Sequence, residues 1–360
     1  MSGSVYQKRS GSSEMNELES LGWRSFFAAQ VGADTACVPA RVMAVHRQRV
    51  DVAGEGFEAR LALSGKSAAF RLTVGDWVLV DRDGPRLDRV LEHFGAFKRG
   101  AAGNSGTVQL IAANVDTVFI VTSANRDFNV ARLERYLAVA CEAGAFPVVV
   151  ITKADTVESV ESFVVRARAL GNDLLVEAMD ARDPEDVDRL RPWCGPGQTV
   201  ALLGSSGVGK STLINTLTGA GQETHEVRED DQRGRHTTTS RSMHRLSQGG
   251  WLIDTPGMRE LRLVESGDAL DSVFSDISVL AANCRFSDCH HEAEPGCAVR
   301  AAIDSGALDP GRLERFHKLQ AEERRSNETI AERRARDRAL GHFYKSVLAQ
   351  SRRGKGGGDR

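Results

Sequence analysis

Between residues 37 and 81 the hydrophobic positions come in short, alternating runs. RVMAVHRQRVDVAG (41–54), FEARLAL (57–63) and VGDWVLVD (74–81) set Val, Leu and Ala against polar neighbours, with Gly and Ser between them. This spacing predicts short strands closing into a small β-barrel, which is either an oligonucleotide-binding (OB-fold) barrel or a plain β-rich packing module. Further along the texture changes. VDTVFIVTSA (115–124), FPVVVITK (146–153), DLLVEA (173–178) and TVALLG (199–204) are nearly continuous apolar runs, and VARLERYLAVACEAG (130–144) has helical spacing. Buried strands alternating with helices predict a parallel, doubly wound α/β sheet. Ligands of such sheets sit beyond the carboxyl ends of the strands.

The flanking segments divide the chain. Residues 1–35 are polar with little periodicity and read as a loose tail. KRGAAGNSG (98–106) has the composition of a connecting loop. The expected organisation is a tail (1–35), a barrel (36–98), an α/β domain (99–265), a C-terminal α-helical module (266–350) and a disordered basic end (351–360). Hydrophobic content of 41% and charged content of 27% suit a water-soluble chain with real cores. The formal net charge of −2 excludes a uniformly basic coat, so any nucleic-acid contact must be local. We find no apolar run long enough to span a membrane and no signal segment, so the expected location is the cytoplasm.

Chemistry concentrates at strand ends. GSSGVGKST (204–212) fits G-x-x-x-x-G-K-[ST] through Gly204, Gly209, Lys210 and Ser211. Backbone N–H groups from Gly204 through Thr212, including Ser205, Ser206, Gly207 and Val208, are placed to close around phosphate oxygens. Lys210 is placed to reach the terminal phosphates, and the Ser211 hydroxyl to ligate Mg²⁺. WLIDTPG (251–257) reads as a strand ending in an acid and a turn, with Asp254 on Mg²⁺ and the Gly257 N–H near a γ-phosphate. Between them GRHTTTS (234–240) offers a further hydroxyl for the metal from Thr238, with Thr237 as second choice. The alternative is a loop with hydroxyls by chance.

ITKAD (151–155) supplies the base reader. The Asp155 carboxylate can accept from guanine's N1–H and exocyclic amine, a pair adenine does not present, and Lys153 can lay its methylenes along the ring. Thr152 stands where such motifs usually start with Asn, and Glu177-Ala178 matches a further base-loop element only by its alanine. The residue after DTPG is Met258, whose thioether cannot hold an attacking water in line. His236, beside the threonines, is the candidate for that role, the alternative being packing or an RNA contact.

Three of the six cysteines crowd into 284–297, giving C-x₄-C-x-H-x₅-C through Cys284, Cys289, His291 and Cys297. Three thiolates and an imidazole make a closed tetrahedral Zn²⁺ site with a structural role, the alternative being reduced cysteines that hold no metal. His290 is an alternate ligand. Beyond it, residues 312–360 hold fourteen Lys or Arg against seven Asp or Glu, which fits either a solvated helix or an RNA-phosphate contact.

The order T-K-A-D, G-S-S-G-V-G-K-S, G-R-H-T-T-T, D-T-P-G resembles the circularly permuted GTPases. With the barrel before it and CRFSDCHHEAEPGC after it, the chain resembles the ribosome small-subunit-dependent GTPase A family over roughly residues 36–345. QLIAANVDTVFIV (109–121) is also similar to that family's entry into its GTPase domain, and the family pattern favours His291 over His290. The resemblance implies an OB-fold barrel, a permuted P-loop GTPase domain binding GTP or GDP with Mg²⁺, and one structural Zn²⁺. It further implies docking on the small ribosomal subunit late in assembly, with rRNA contacts and a monomeric state expected, and Met258 in place of a water-orienting glutamine makes slow GTP hydrolysis in isolation the expectation. A GTP-regulated RNA- or protein-binding module acting off the ribosome is the alternative.

Overall fold

A computed structural model describes residues 16–32, 36–63, 71–82, 84, 86–100, 108–171, 173–219, 241–254, 261 and 267–327. The strands run β1 (Cys37–Val45), β2 (Arg49–Gly54), β3 (Phe57–Ala62), β4 (Trp77–Asp81), β5 (Leu87–Val90), β6 (Ala96–Gly100), β7 (Val108–Ala113), β8 (Thr117–Ser123), β9 (Phe146–Thr152), β10 (Leu175–Ala178), β11 (Thr199–Gly204), β12 (Arg241–Arg245) and β13 (Trp251–Asp254). The helices are α1 (Glu17–Ser20), α2 (Ser25–Val31), α3 (Val130–Glu142), α4 (Glu161–Arg168), α5 (Pro184–Val187), α6 (Lys210–Thr218), α7 (Gly267–Val273), α8 (Ser275–Ala281), α9 (Ala298–Asp304) and α10 (Pro310–Asn327).

Burial along each strand follows what covers it. Every residue of β8 and β11 is buried, as expected of parallel strands covered on both faces. β3 instead alternates buried and exposed, with one face to water. Alternate residues Ala40, Val42, Val50, Val52, Phe57, Ala59, Leu61, Val78 and Val80 fill one interior, so β1 to β5 wrap a core of their own. Their pairing order is β3-β2-β1-β4-β5, and no pair joins β3 to β5 among the described residues. The boundary expected between residues 98 and 99 falls inside β6, which continues to Gly100 and pairs with β7.

The barrel and the α/β layer share a sheet. β10, β9, β8, β11 and β13 run parallel, β12 is antiparallel to β13, and β12 then pairs with β1 through Ala44↔Ser242 and Val45↔Arg241. The buried Arg41 reinforces this seam, donating to the carbonyls of Leu21 and Asn114 and, at 2.8 Å, to Thr199 Oγ1. Desolvation pulls its pKa down to about 10.

The expected loose tail needs correction over its second half. α1 and α2 carry Leu18, Leu21, Trp23 and Phe27 onto Trp77, Leu79 and Leu91, and Phe27 is fully buried. Five large apolar side chains in LESLGWRSFF outweigh the polar character of the segment as a whole. The basic end (351–360) and the helix expected beyond Asn327 lie outside the described residues.

Candidate functional site

β8 is the common neighbour that assembles the site. It pairs with β11 through Val121↔Gly204 and with β9 through Ser123↔Thr152. The phosphate loop and the base loop therefore leave the same edge of the sheet one strand apart. Asp254 ends β13 at that edge and is exposed.

The phosphate loop turns where only glycine fits. Gly204 has φ +150°, and a Cβ there would lie 2.3 Å from the Val121 carbonyl oxygen. Gly209 caps α6 at φ +93° and packs against the Thr152 side chain. Lys210 folds back over the loop, its ammonium donating to the Gly204 carbonyl at 2.8 Å and to that of Ser205. Ser211 is exposed in the first turn of α6, followed by Thr212, while Val208 anchors the loop in the core. Ser206 and Gly207 face solvent.

The base loop is locked to the phosphate loop. Thr152 is buried, and its hydroxyl lies 3.0 Å from the Thr122 carbonyl and 2.5 Å from that of Val208, so its single proton can serve either. A threonine in the place of the usual asparagine thus still braces the two loops together. Lys153 adopts the left-handed conformation at φ +57°, and its ammonium donates to the Gly207 carbonyl at 2.8 Å. Asp155 follows in the short 3₁₀ turn 154–156, and its carboxylate meets Arg182 at 2.7 Å. Glu177 and Ala178 end β10, alongside β9 through Ala178↔Ile151.

Two cations at this edge were not anticipated. Arg182 is one. The other is Arg132 in the first turn of α3, which donates to Ser205 Oγ at 2.6 Å. Neither lies in a recognisable spacing with its partner, being 27 and 73 positions away. His236, Thr237, Thr238, Gly257 and Met258 lie outside the described residues.

Cys284, Cys289, His291 and Cys297 converge, with all four ligand atoms within 4.8 Å of one another. Cys284 Sγ and Cys297 Sγ are 3.9 Å apart, and His291 Nδ1 lies 3.6 and 3.4 Å from them. A tetrahedron with metal–sulfur bonds of about 2.3 Å has sulfur–sulfur edges of nearly this length, so the four groups fit Zn²⁺. His290 does not join the cluster. Its N–H instead donates to the Glu294 carboxylate, as do those of Glu292 and Ala293. These bonds, led by that from His290, hold the Glu294 pKa down to about 2 and fold the turn that presents His291.

A P-loop at one strand end and a T-K-A-D base loop at the next, met in reversed chain order and joined to a barrel and a Cys₃His knot, define a circularly permuted GTPase. The RsgA GTPase family model matches residues 90–264. The chain is 45% identical over 344 residues to the small ribosomal subunit biogenesis GTPase RsgA 2 of Vibrio parahaemolyticus, covering 95% of each chain. It is 49% identical over 310 residues to the small ribosomal subunit biogenesis GTPase RsgA of Mesorhizobium japonicum, covering 85% of this chain and 89% of that one. The chain therefore belongs to the RsgA GTPase family. Among solved structures, YjeQ from Thermotoga maritima shares the fold with a TM-score of 0.60 at 24% identity, over 79% of this chain and 97% of that one. YloQ, a circularly permuted GTPase, matches with a TM-score of 0.58 at 22% identity, over 82% and 98% of the two chains.

Proposed function

We propose that this GTPase acts on the small ribosomal subunit during its late assembly. The reading is carried by the likeness to relatives named for small-subunit biogenesis, which extends over 95% of both chains and so takes in barrel, GTPase domain and zinc knot together. In this reading GTP lies along the strand edge, its phosphates on the loop from Gly204 to Thr212 and its base on Asp155 and Lys153. Mg²⁺ is held by Ser211, Thr238 and Asp254, and supplies charge neutralisation on the phosphates. Lys210 and the Gly257 N–H complement the γ-phosphate, and His236 positions the attacking water. The zinc site is structural, because four protein ligands leave no position for a substrate. The barrel and the C-terminal module contact rRNA, and the protein acts as a monomer in the cytoplasm. No helix among the described residues is long and apolar enough to cross a membrane.

The decisive measurement is GTP turnover by the purified chain alone, with small subunits and with large subunits. Slow turnover accelerated by small subunits alone is the expected result. Equal stimulation by both subunits, or by neither, would leave a GTP-regulated module that works elsewhere.

A further inference from the structure

The carboxylate offered to guanine already has a partner. Asp155 Oδ2 lies 2.7 Å from Arg182 Nη2. Arg182 sits four residues beyond the end of β10, and Asp180 grips the same guanidinium along its Nε–Nη2 edge. Asp180 Oδ1 accepts from Arg182 Nε at 3.0 Å, and its Oδ2 accepts from Nη2 at 2.9 Å. Asp180 is itself fixed, since its N–H donates to Asp186 Oδ2 and its Oδ1 accepts the Arg182 N–H, both at 2.9 Å.

A guanidinium and the Watson–Crick edge of guanine are alike to a carboxylate. Each offers planar N–H donors, guanine to both oxygens and Arg182 to Oδ2 alone. The two therefore compete for Asp155 Oδ2. We propose that Arg182 is a built-in competitor for the guanine edge, a specificity-site residue that holds Asp155 closed between turnovers and lowers nucleotide affinity. This rests on the reading of Asp155 as the guanine acceptor.

The arrangement makes displacement easy. When guanine takes Asp155, Arg182 keeps its bonds to Asp180, so it loses one partner and stays poised to return. Only the fraction of molecules with the pair open accepts a base, so the effect falls on association rather than on dissociation. Arg182 is 69% exposed, which places the pair among screened surface pairs and the effect at about two- to fivefold.

The test is stopped-flow binding of a fluorescent GDP to the full chain, comparing the unaltered protein with Arg182→Ala and Arg182→Lys at low and high potassium chloride. Arg182→Ala should bind about two- to fivefold tighter, through faster association with unchanged dissociation. The gap should shrink at high salt, where the pair is screened. Arg182→Lys keeps the charge but lacks the planar fork, and should fall between. Equal or weaker binding by Arg182→Ala overturns the proposal, weaker binding making Arg182 a base contact. Competition by ATP against GDP on the unaltered protein separates the two layers. If ATP competes as well as GTP, the guanine reading of Asp155 fails whatever Arg182 does.

Discussion

Thr152 shows how one hydroxyl can hold two loops together. It sits between the carbonyls of Thr122 and Val208, fully inside the protein. Thr152→Val keeps the shape and removes the donor, leaving a buried carbonyl short of a partner at a cost of about 1–3 kcal/mol. We expect weaker binding of both GDP and GTP, by about tenfold, measured by titration alongside the melting temperature. A loss of stability with unchanged nucleotide affinity would show that the brace does not organise the pocket. Asp155→Asn replaces a charged acceptor pair with one acceptor and one donor. Removal of a charge-assisted contact predicts roughly thirtyfold weaker GTP binding, about 2 kcal/mol, with relative gain for xanthine nucleotides, whose C2 oxygen accepts from the new amide. Parallel titrations with GTP and XTP check it. The phosphate loop was legible because its backbone geometry demands glycine, Gly204 at φ +150° and Gly209 at φ +93°. Arg132 and Arg182 were not, because a lone arginine in a polar run reads the same whether it faces solvent or a partner far off in sequence.

At the scale of elements, α3 ties the nucleotide site to the C-terminal module. Its first turn reaches Ser205 through Arg132, and the next residues reach α10. Glu134 is completely buried, with Oε1 2.8 Å from Arg312 Nη1 and Oε2 2.7 Å from Arg315 Nε, while Arg135 meets Glu322 at 2.8 Å. Glu134→Ala strands two guanidinium groups, one of them buried, and should cost about 3–5 kcal/mol. A large fall in melting temperature is expected, and loss of α10 protection in hydrogen exchange should accompany it. A neutral outcome would mean that Asp276 alone satisfies Arg312, which it contacts at 3.0 Å. Nothing in VARLERYLAVACEAG distinguishes Glu134 from a solvated helical acid, because its partners lie 178 and 181 residues away. The Cys₃His cluster is the opposite case, its four side chains all within one short stretch. The purified chain should carry about one zinc, and Cys289→Ser should release it and loosen α8 to α10 while the GTPase domain still binds nucleotide. Metal analysis with nucleotide titration checks both halves.

For the whole molecule, chain order and the shared sheet connect the proposed switch segment to the barrel. The segment 220–240 holds Thr238 and His236 and runs directly into β12 at Arg241. β12 pairs with the nucleotide-edge strand β13 on one side and with barrel strand β1 on the other, and Arg241 also donates to the Leu110 carbonyl at 2.6 Å. The candidate switch segment therefore leads, at Arg241, into a strand on the seam between barrel and GTPase domain. If, as proposed, the barrel holds the subunit, the subunit would lie beside that seam, and contact with GRHTTTS would place His236 at the water that Met258 cannot hold. With saturating small subunit, His236→Ala should drop stimulated turnover towards the basal rate while GTP affinity and subunit binding stay near normal. A histidine that only packs or contacts RNA would weaken subunit binding instead, and full stimulation in the variant would remove His236 from the chemistry. Single-turnover hydrolysis measured with and without the subunit, beside a sedimentation assay of docking, separates these outcomes.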